Sequence, residues 1–134
     1  MRVRSFDYLK DQILGHKIVK WVGNTIVFDN NMTLSIEEGG MYGNAWTSSE
    51  FKDVVLDVVI TDVSDIKYDP WEDGKAYGCQ ASVIILHDKD IICKAFAEAN
   101  SGVDGRYYSV ASFVMRSVGE EKYLVDFVAA DDGE

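Results

Sequence analysis

Two β-branched runs, Ile18–Val22 and Thr25–Phe28, are separated only by Gly23-Asn24. A two-residue connection of that type suits a β-hairpin, so the two runs are expected to pair antiparallel. Asp29-Asn30-Asn31 then turns the chain into Met32–Ile36, which extends the hairpin to a meander. The segment ahead of them has a different period. Phe6, Leu9, Ile13 and Leu14 recur at helical spacing, Ser5 can cap the start, and Gly15 can end the helix in a left-handed conformation.

Beyond the meander the chain reads mainly as sheet. Residues 37–47 form a glycine-rich loop with two aromatics, after which Ser48 or Ser49 is expected to cap a short helix through Lys52. Val54–Ile60 and Val63–Tyr68 read as strand, although Phe51, Val54 and Val55 also fit a helical turn. Pro70 is expected in an acidic loop, Asp69–Gly74. Val83–Leu86 and Ile91–Phe96 make a second hairpin around His87–Asp90. Tyr107–Met115 and Tyr123–Val128 supply the last strands, with residues 130–134 as a frayed tail. The expected fold is α+β: a mainly antiparallel β-sheet, as a partial barrel or sandwich, with one or two short helices in a single domain over residues 1–134.

A chain of 134 residues buries roughly two-thirds of its unfolded surface as one domain. Its longest apolar run, Val54–Ile60, is interrupted by Asp57, so no membrane span is expected. Arg2 and Arg4 lead into an amphipathic segment and not into the apolar core of a signal peptide, which points to the cytoplasm. In a hairpin turning at His87–Asp90, Cys79 faces the neighbourhood of Glu98 and Cys93 that of Ile84. The two cysteines are therefore expected as reduced thiols.

The net charge of −10 argues against direct nucleic-acid binding. Its distribution is uneven. Residues 50–73 carry eight acids against Lys52 and Lys67, whereas residues 74–118 carry four acids against Lys75, Lys89, Lys94, Arg106 and Arg116. The acidic block, on a segment read as extended, can imitate a phosphate backbone and occupy the basic cleft of a host defence protein, with Asp57, Asp62 and Asp65 as the carboxylates to test; a solvated face is the plainer reading.

No catalytic residue, metal site or cofactor is read from the sequence. Asp69–Gly74 begins like a calcium loop but has Trp71 at its third position and Gln80 at its twelfth, where a bidentate Glu belongs. His16 and His87 are not at zinc-ligand spacing with each other or with a cysteine. Gly39-Gly40 with Gly43 lacks the lysine of a phosphate loop. The segment Asn100–Tyr108 is richer, with two glycines, Asn100, Asp104, Arg106, Tyr107 and Tyr108 between two strand-like runs. Glycines allow close approach of backbone amides, Arg106 can pair with phosphate, and Tyr107, Tyr108 or Phe96 offers a face to stack on. The same letters also suit an ordinary turn with a solvated arginine.

The order of these features carries a resemblance. Leu14-Gly15-His16-Lys17-Ile18 is followed by a polar hairpin and a loop. Tyr77-Gly78 then leads a hairpin into Glu98-Ala99-Asn100-Ser101-Gly102 and Tyr107-Tyr108-Ser109. This resembles a group of small phage proteins with a Leu-Gly start before a sheet and a closing Asn-Gly-Tyr-Tyr motif after a strand. That group is similar in turn to the phage sponges that trap nucleotide-derived signals of Thoeris-type defence. The resemblance implies a homo-oligomer that binds a cyclic nucleotide or ADP-ribose-type ligand without cleaving it, in the host cytoplasm. Asn100 and the Tyr107-Tyr108 pair are the residues it carries over. Two departures stand out: Val103-Asp104-Gly105-Arg106 is inserted between glycine and tyrosines, and Ser48-Ser49 stands where many of those proteins have adjacent cysteines.

Overall fold

The computed structural model describes residues 2–39, 46–72, 77–100, 109–117 and 122–130. A short strand β1 (Arg2–Val3) precedes helix α1 (Phe6–Ile13), whose N-terminus is capped by Ser5, with Oγ accepting from the Tyr8 amide at 3.2 Å. The helix stops where Gly15 takes φ +84°, a conformation that costs glycine little. Strands β2 (Ile18–Val22), β3 (Thr25–Phe28) and β4 (Thr33–Gly39) then form the expected meander, turning at Gly23 (φ +57°) and Asn31 (φ +68°).

The next segment differs from the sequence reading. In place of a helix through Lys52 stands strand β5 (Trp46–Lys52), which buries Phe51. Pairing along its whole length with a long partner strand supplies more backbone hydrogen bonds than one or two helical turns can. Nor is Val54–Ile60 a strand. Asp53 (φ +55°) and Asp57 (φ +65°) twice turn the backbone out of the extended region, and residues 53–61 become a strap between the sheets. Its amides at Val55 and Asp57 donate to the carbonyls of Ile92 and Ile18 respectively, each at 2.8 Å. His87 Nδ1 holds the strap carbonyl of Val59 at 2.9 Å.

Beyond the strap come β6 (Asp62–Val63), β7 (Lys67–Glu72), β8 (Tyr77–His87), β9 (Asp90–Asn100), β10 (Ser109–Arg116) and β11 (Tyr123–Ala130). Pro70, expected in a loop, lies in β7 opposite Cys79. Proline is tolerated there because β7 pairs only with β8 among the described residues, which leaves its other side without a ladder to break. Strand β11 runs through Ala130, the first residue of the expected tail; residues 131–134 lie outside the described residues.

These strands form two sheets that do not close into a barrel. One has the order β1-β11-β10-β4-β3-β2, antiparallel except for the parallel pair β1–β11. The other has the order β5-β9-β8-β6, with β7 also on β8. β11 packs across β8 and β9, so the core lies between the sheets. The layers are unequal in bulk. The first sheet contributes Phe28, Phe113 and Phe127, all buried, whereas the second buries four alanines, Ala81, Ala95, Ala97 and Ala99, beside the larger Phe51, Val83 and Ile85. Phe113 of the first layer lines one small space with Ala95 of the second, so a large side chain meets a small one between sheets that pack about 10 Å apart. Helix α1 packs against that core: Leu9 and Ile13 are buried, and Phe6 stacks on Phe113 with centroids 6.1 Å apart.

The β8–β9 hairpin has a tighter turn than expected, and a bulge moves its register. Leu86 pairs with Ile91 but Ile85 pairs with Cys93, which leaves Ile92 as the extra residue. Cys79 therefore faces Ala99, not Glu98, and Cys93 faces Ile85, not Ile84. Neither cysteine is in a disulfide, as expected. Burial, with Asp53 adding to it, pushes the Cys93 thiol up to about 12. A thiol so raised holds almost no thiolate at about pH 8, so Cys93 should resist iodoacetamide in the folded protein. Mass spectrometry is expected to find at most the half-buried Cys79 labelled until urea is added. Rapid double labelling of the native chain would contradict the burial of Cys93.

Candidate functional site

In β9, Cys93, Ala95, Ala97 and Ala99 are buried while Lys94, Phe96 and Glu98 are only partly covered. Alternation along a strand thus turns the largest apolar residue of this segment, Phe96, outward, and the small ones inward. A phenyl ring on the outer face of a sheet, with alanines beneath it, is not needed by the core. That placement is the first sign of a site.

Register builds the surroundings of Phe96. Across the sheet it is flanked by Glu50 of β5 and Ser82 of β8, and Ser82 by Lys67 of β7. The next row outward contains Ser48, Glu98, Gln80 and Asp69. Beyond it, Trp46, Asn100, Gly78 and Trp71 occupy one cross-strand row of the backbone. On the other side of Phe96, Lys52 and Lys94 are paired positions, and the Lys52 ammonium lies 5.7 Å from the centre of the Phe96 ring.

An open cavity of ≈ 150 Å³ lies on this face, lined by Lys67, Gln80, Ala81, Ser82 and Phe96. Gln80 Nε2 donates to Glu98 Oε2 at 3.0 Å, which ties the amide and the carboxylate of adjacent strands together. The cavity therefore offers an aromatic edge or face, a hydroxyl, an amide, a carboxylate at its border and one lysine in its wall. Such a set can hold one flat polar ring and an anionic group beside it. Neither His16 nor His87 lines it.

Of the sequence-predicted ligand residues, Phe96 is on this face and Asn100 ends the same strand two rows away. Arg106, Tyr107 and Tyr108 lie outside the described residues. Lys52, Lys67, Gln80, Ser82 and Glu98 were not singled out by the sequence. The alternation Ala95-Phe96-Ala97-Glu98-Ala99 could have found Glu98, but Lys67 and Gln80 reach the site only through the pairing of β7 with β8.

The remaining candidates fall elsewhere. His16 Nδ1 meets Asp29 Oδ1 at 2.8 Å. That bond, and one from the Lys17 amide, hold the Asp29 carboxyl below its ordinary value. The acidic block is spread over several elements: Glu50 on β5, Asp53 and Asp57 on the strap, Asp62 on β6 and Asp65 after it. Asp65 is paired with Lys10 at 2.6 Å and Asp53 with Lys94 at 3.3 Å. Among the described residues no group of three or more His, Cys, Asp or Glu could hold a metal ion, and no helix is long and apolar enough to cross a membrane. No family model, no curated protein and no solved structure matches this chain.

Proposed function

We propose that the protein is a non-catalytic binding protein that holds a nucleotide-like ligand on the outer face of its second sheet. The observation that carries this reading is the outward Phe96 beside a cavity walled by Lys67, Gln80 and Ser82. An aromatic ring next to an ammonium is the arrangement that takes a base and a phosphate together. In the form the resemblance implies, the protein is an oligomeric phage sponge. It sequesters a nucleotide-derived immune signal intact, with Asn100 reading the ligand, and Arg106, which the resemblance does not carry over, neutralises its phosphate.

The test is native mass spectrometry of the protein incubated with a pool of cyclic nucleotides and ADP-ribose derivatives, followed by titration of whichever is retained. The expected result is an added mass equal to an intact nucleotide. Phe96→Ala should then weaken binding about tenfold, in line with the ~1–3 kcal/mol of a base–aromatic stack, and leave the fold unchanged because the ring is not part of the core. No retained mass, or unchanged affinity in Phe96→Ala, would overturn this reading. Salt-sensitive capture of a basic protein, lost on charge reversal at Asp57, Asp62 and Asp65, would replace it with phosphate mimicry.

A further inference from the structure

We infer that this face selects a guanine-type ring over adenine, an inference that rests on the nucleotide-binding reading of the same site. The selecting group is Glu98. Its carboxylate lies two residues from Phe96 on the same side of β9, about 6.6 Å along the strand. A ring stacked on Phe96 can reach it with one edge. Gln80 Nε2 occupies one acceptor position of Oε2 at 3.0 Å, and an ionised carboxylate offers about four such positions.

What remains is a charged, acceptor-only group beside an aromatic ring. Among the common bases, guanine alone presents two adjacent N–H donors, N1–H and the 2-amino group, on one edge. It can therefore give a carboxylate two parallel, charge-assisted hydrogen bonds. Adenine sets its N1 lone pair next to the 6-amino group, and cytosine its N3 lone pair next to the 4-amino group. Either would aim one acceptor at the carboxylate, and the repulsion makes the discrimination as much exclusion as attraction.

Charge fixes the direction of the ligand as well. Lys67 lies in the cross-strand row of Phe96, and Lys52 in the row on the side away from Glu98. The Lys52 ammonium is 5.7 Å from the Phe96 ring centre. Glu50 flanks Phe96 on the β5 side, so phosphate is drawn toward Lys67 on the opposite side and repelled from both carboxylates, and the base edge is left to meet Glu98.

The experiment is calorimetric titration of the whole protein with GMP, IMP and AMP, repeated on Glu98→Gln. GMP is expected to bind at least ~tenfold more tightly than AMP, with IMP, which lacks the 2-amino group, in between. Glu98→Gln should bring GMP down to the level of AMP while leaving AMP unchanged or improved. Equal binding of GMP and AMP, or a preference that survives Glu98→Gln, would overturn the guanine assignment and leave nucleotide binding standing. Binding of none of the three would remove both.

Discussion

Phe113→Ala is expected to be the most damaging single truncation in the described core, destabilising the protein by about 3–5 kcal/mol. The ring is 1% exposed and stacks on Phe127 with centroids 4.3 Å apart and planes 20° from parallel. Phe6 of the helix stacks on it at 6.1 Å. Truncation therefore opens a void that touches three elements at once, and the alanines of β8 and β9 are too small to relax into it. Since domains are stable by only about 5–15 kcal/mol, the loss should be visible as a large fall in the urea midpoint followed by circular dichroism. Helix α1 should loosen first, because Phe6 loses its partner. A loss below ~1 kcal/mol would mean that the ring is not the junction of helix and sheets.

The opposite substitution should hurt for the opposite reason. Ala97 is 0% exposed on the inner face of β9, with Ala95 and Ala99 on either side of it on that face. Leucine there adds three carbons to a layer matched to aromatic rings, and overpacking of this kind costs typically about 1–3 kcal/mol. Strand pairing leaves little room for relief, since Ala97 is held between Ser49 of β5 and Ala81 of β8. Ser48→Leu, at an exposed position on β5, should change the melting temperature little by comparison. Thermal melts of the two variants side by side make the measurement, and equal melting temperatures would contradict the large-against-small packing of the two layers.

The part of the fold legible in the sequence is the part set by local chemistry. Ser5, the Phe6–Ile13 period and Gly15 bound the helix where the structure has it, and Gly23-Asn24 fixes the first hairpin. Failures came where contacts distant in sequence decide. Ser48-Ser49 carries the signature of a helix cap, but β9 offers that segment a full ladder, and β-pairing overrides the local signal. The β-branched run Val54–Ile60 looks extended, yet two aspartates in left-handed conformation and hydrogen bonds to Ile18 and Ile92 make it a strap. One bulged residue, Ile92, moved the register of both cysteines by one position. A bulge leaves little trace in a run of apolar letters. For the site, Phe96 was legible as an aromatic near the Asn100 loop, but its orientation follows only from the alanines that alternate with it. Lys67 enters the site through a strand pair that no local pattern announces.

The parallel pairing of Arg2–Val3 with Tyr123–Leu124 has a consequence for how the molecule is made. β11 lies between β1 and β10, so among the described residues β1 is joined to the rest of its sheet only through a strand far later in the sequence. Until β11 has emerged, the inner face of β10 with Phe113 lacks its main aromatic partner, Phe127, and the second sheet lacks the strand that packs across it. Closure is therefore a late, long-range event, which favours slow folding and leaves a nascent or truncated chain with exposed strand edges. A cell producing this protein must shield an unfinished sandwich until β11 has left the ribosome.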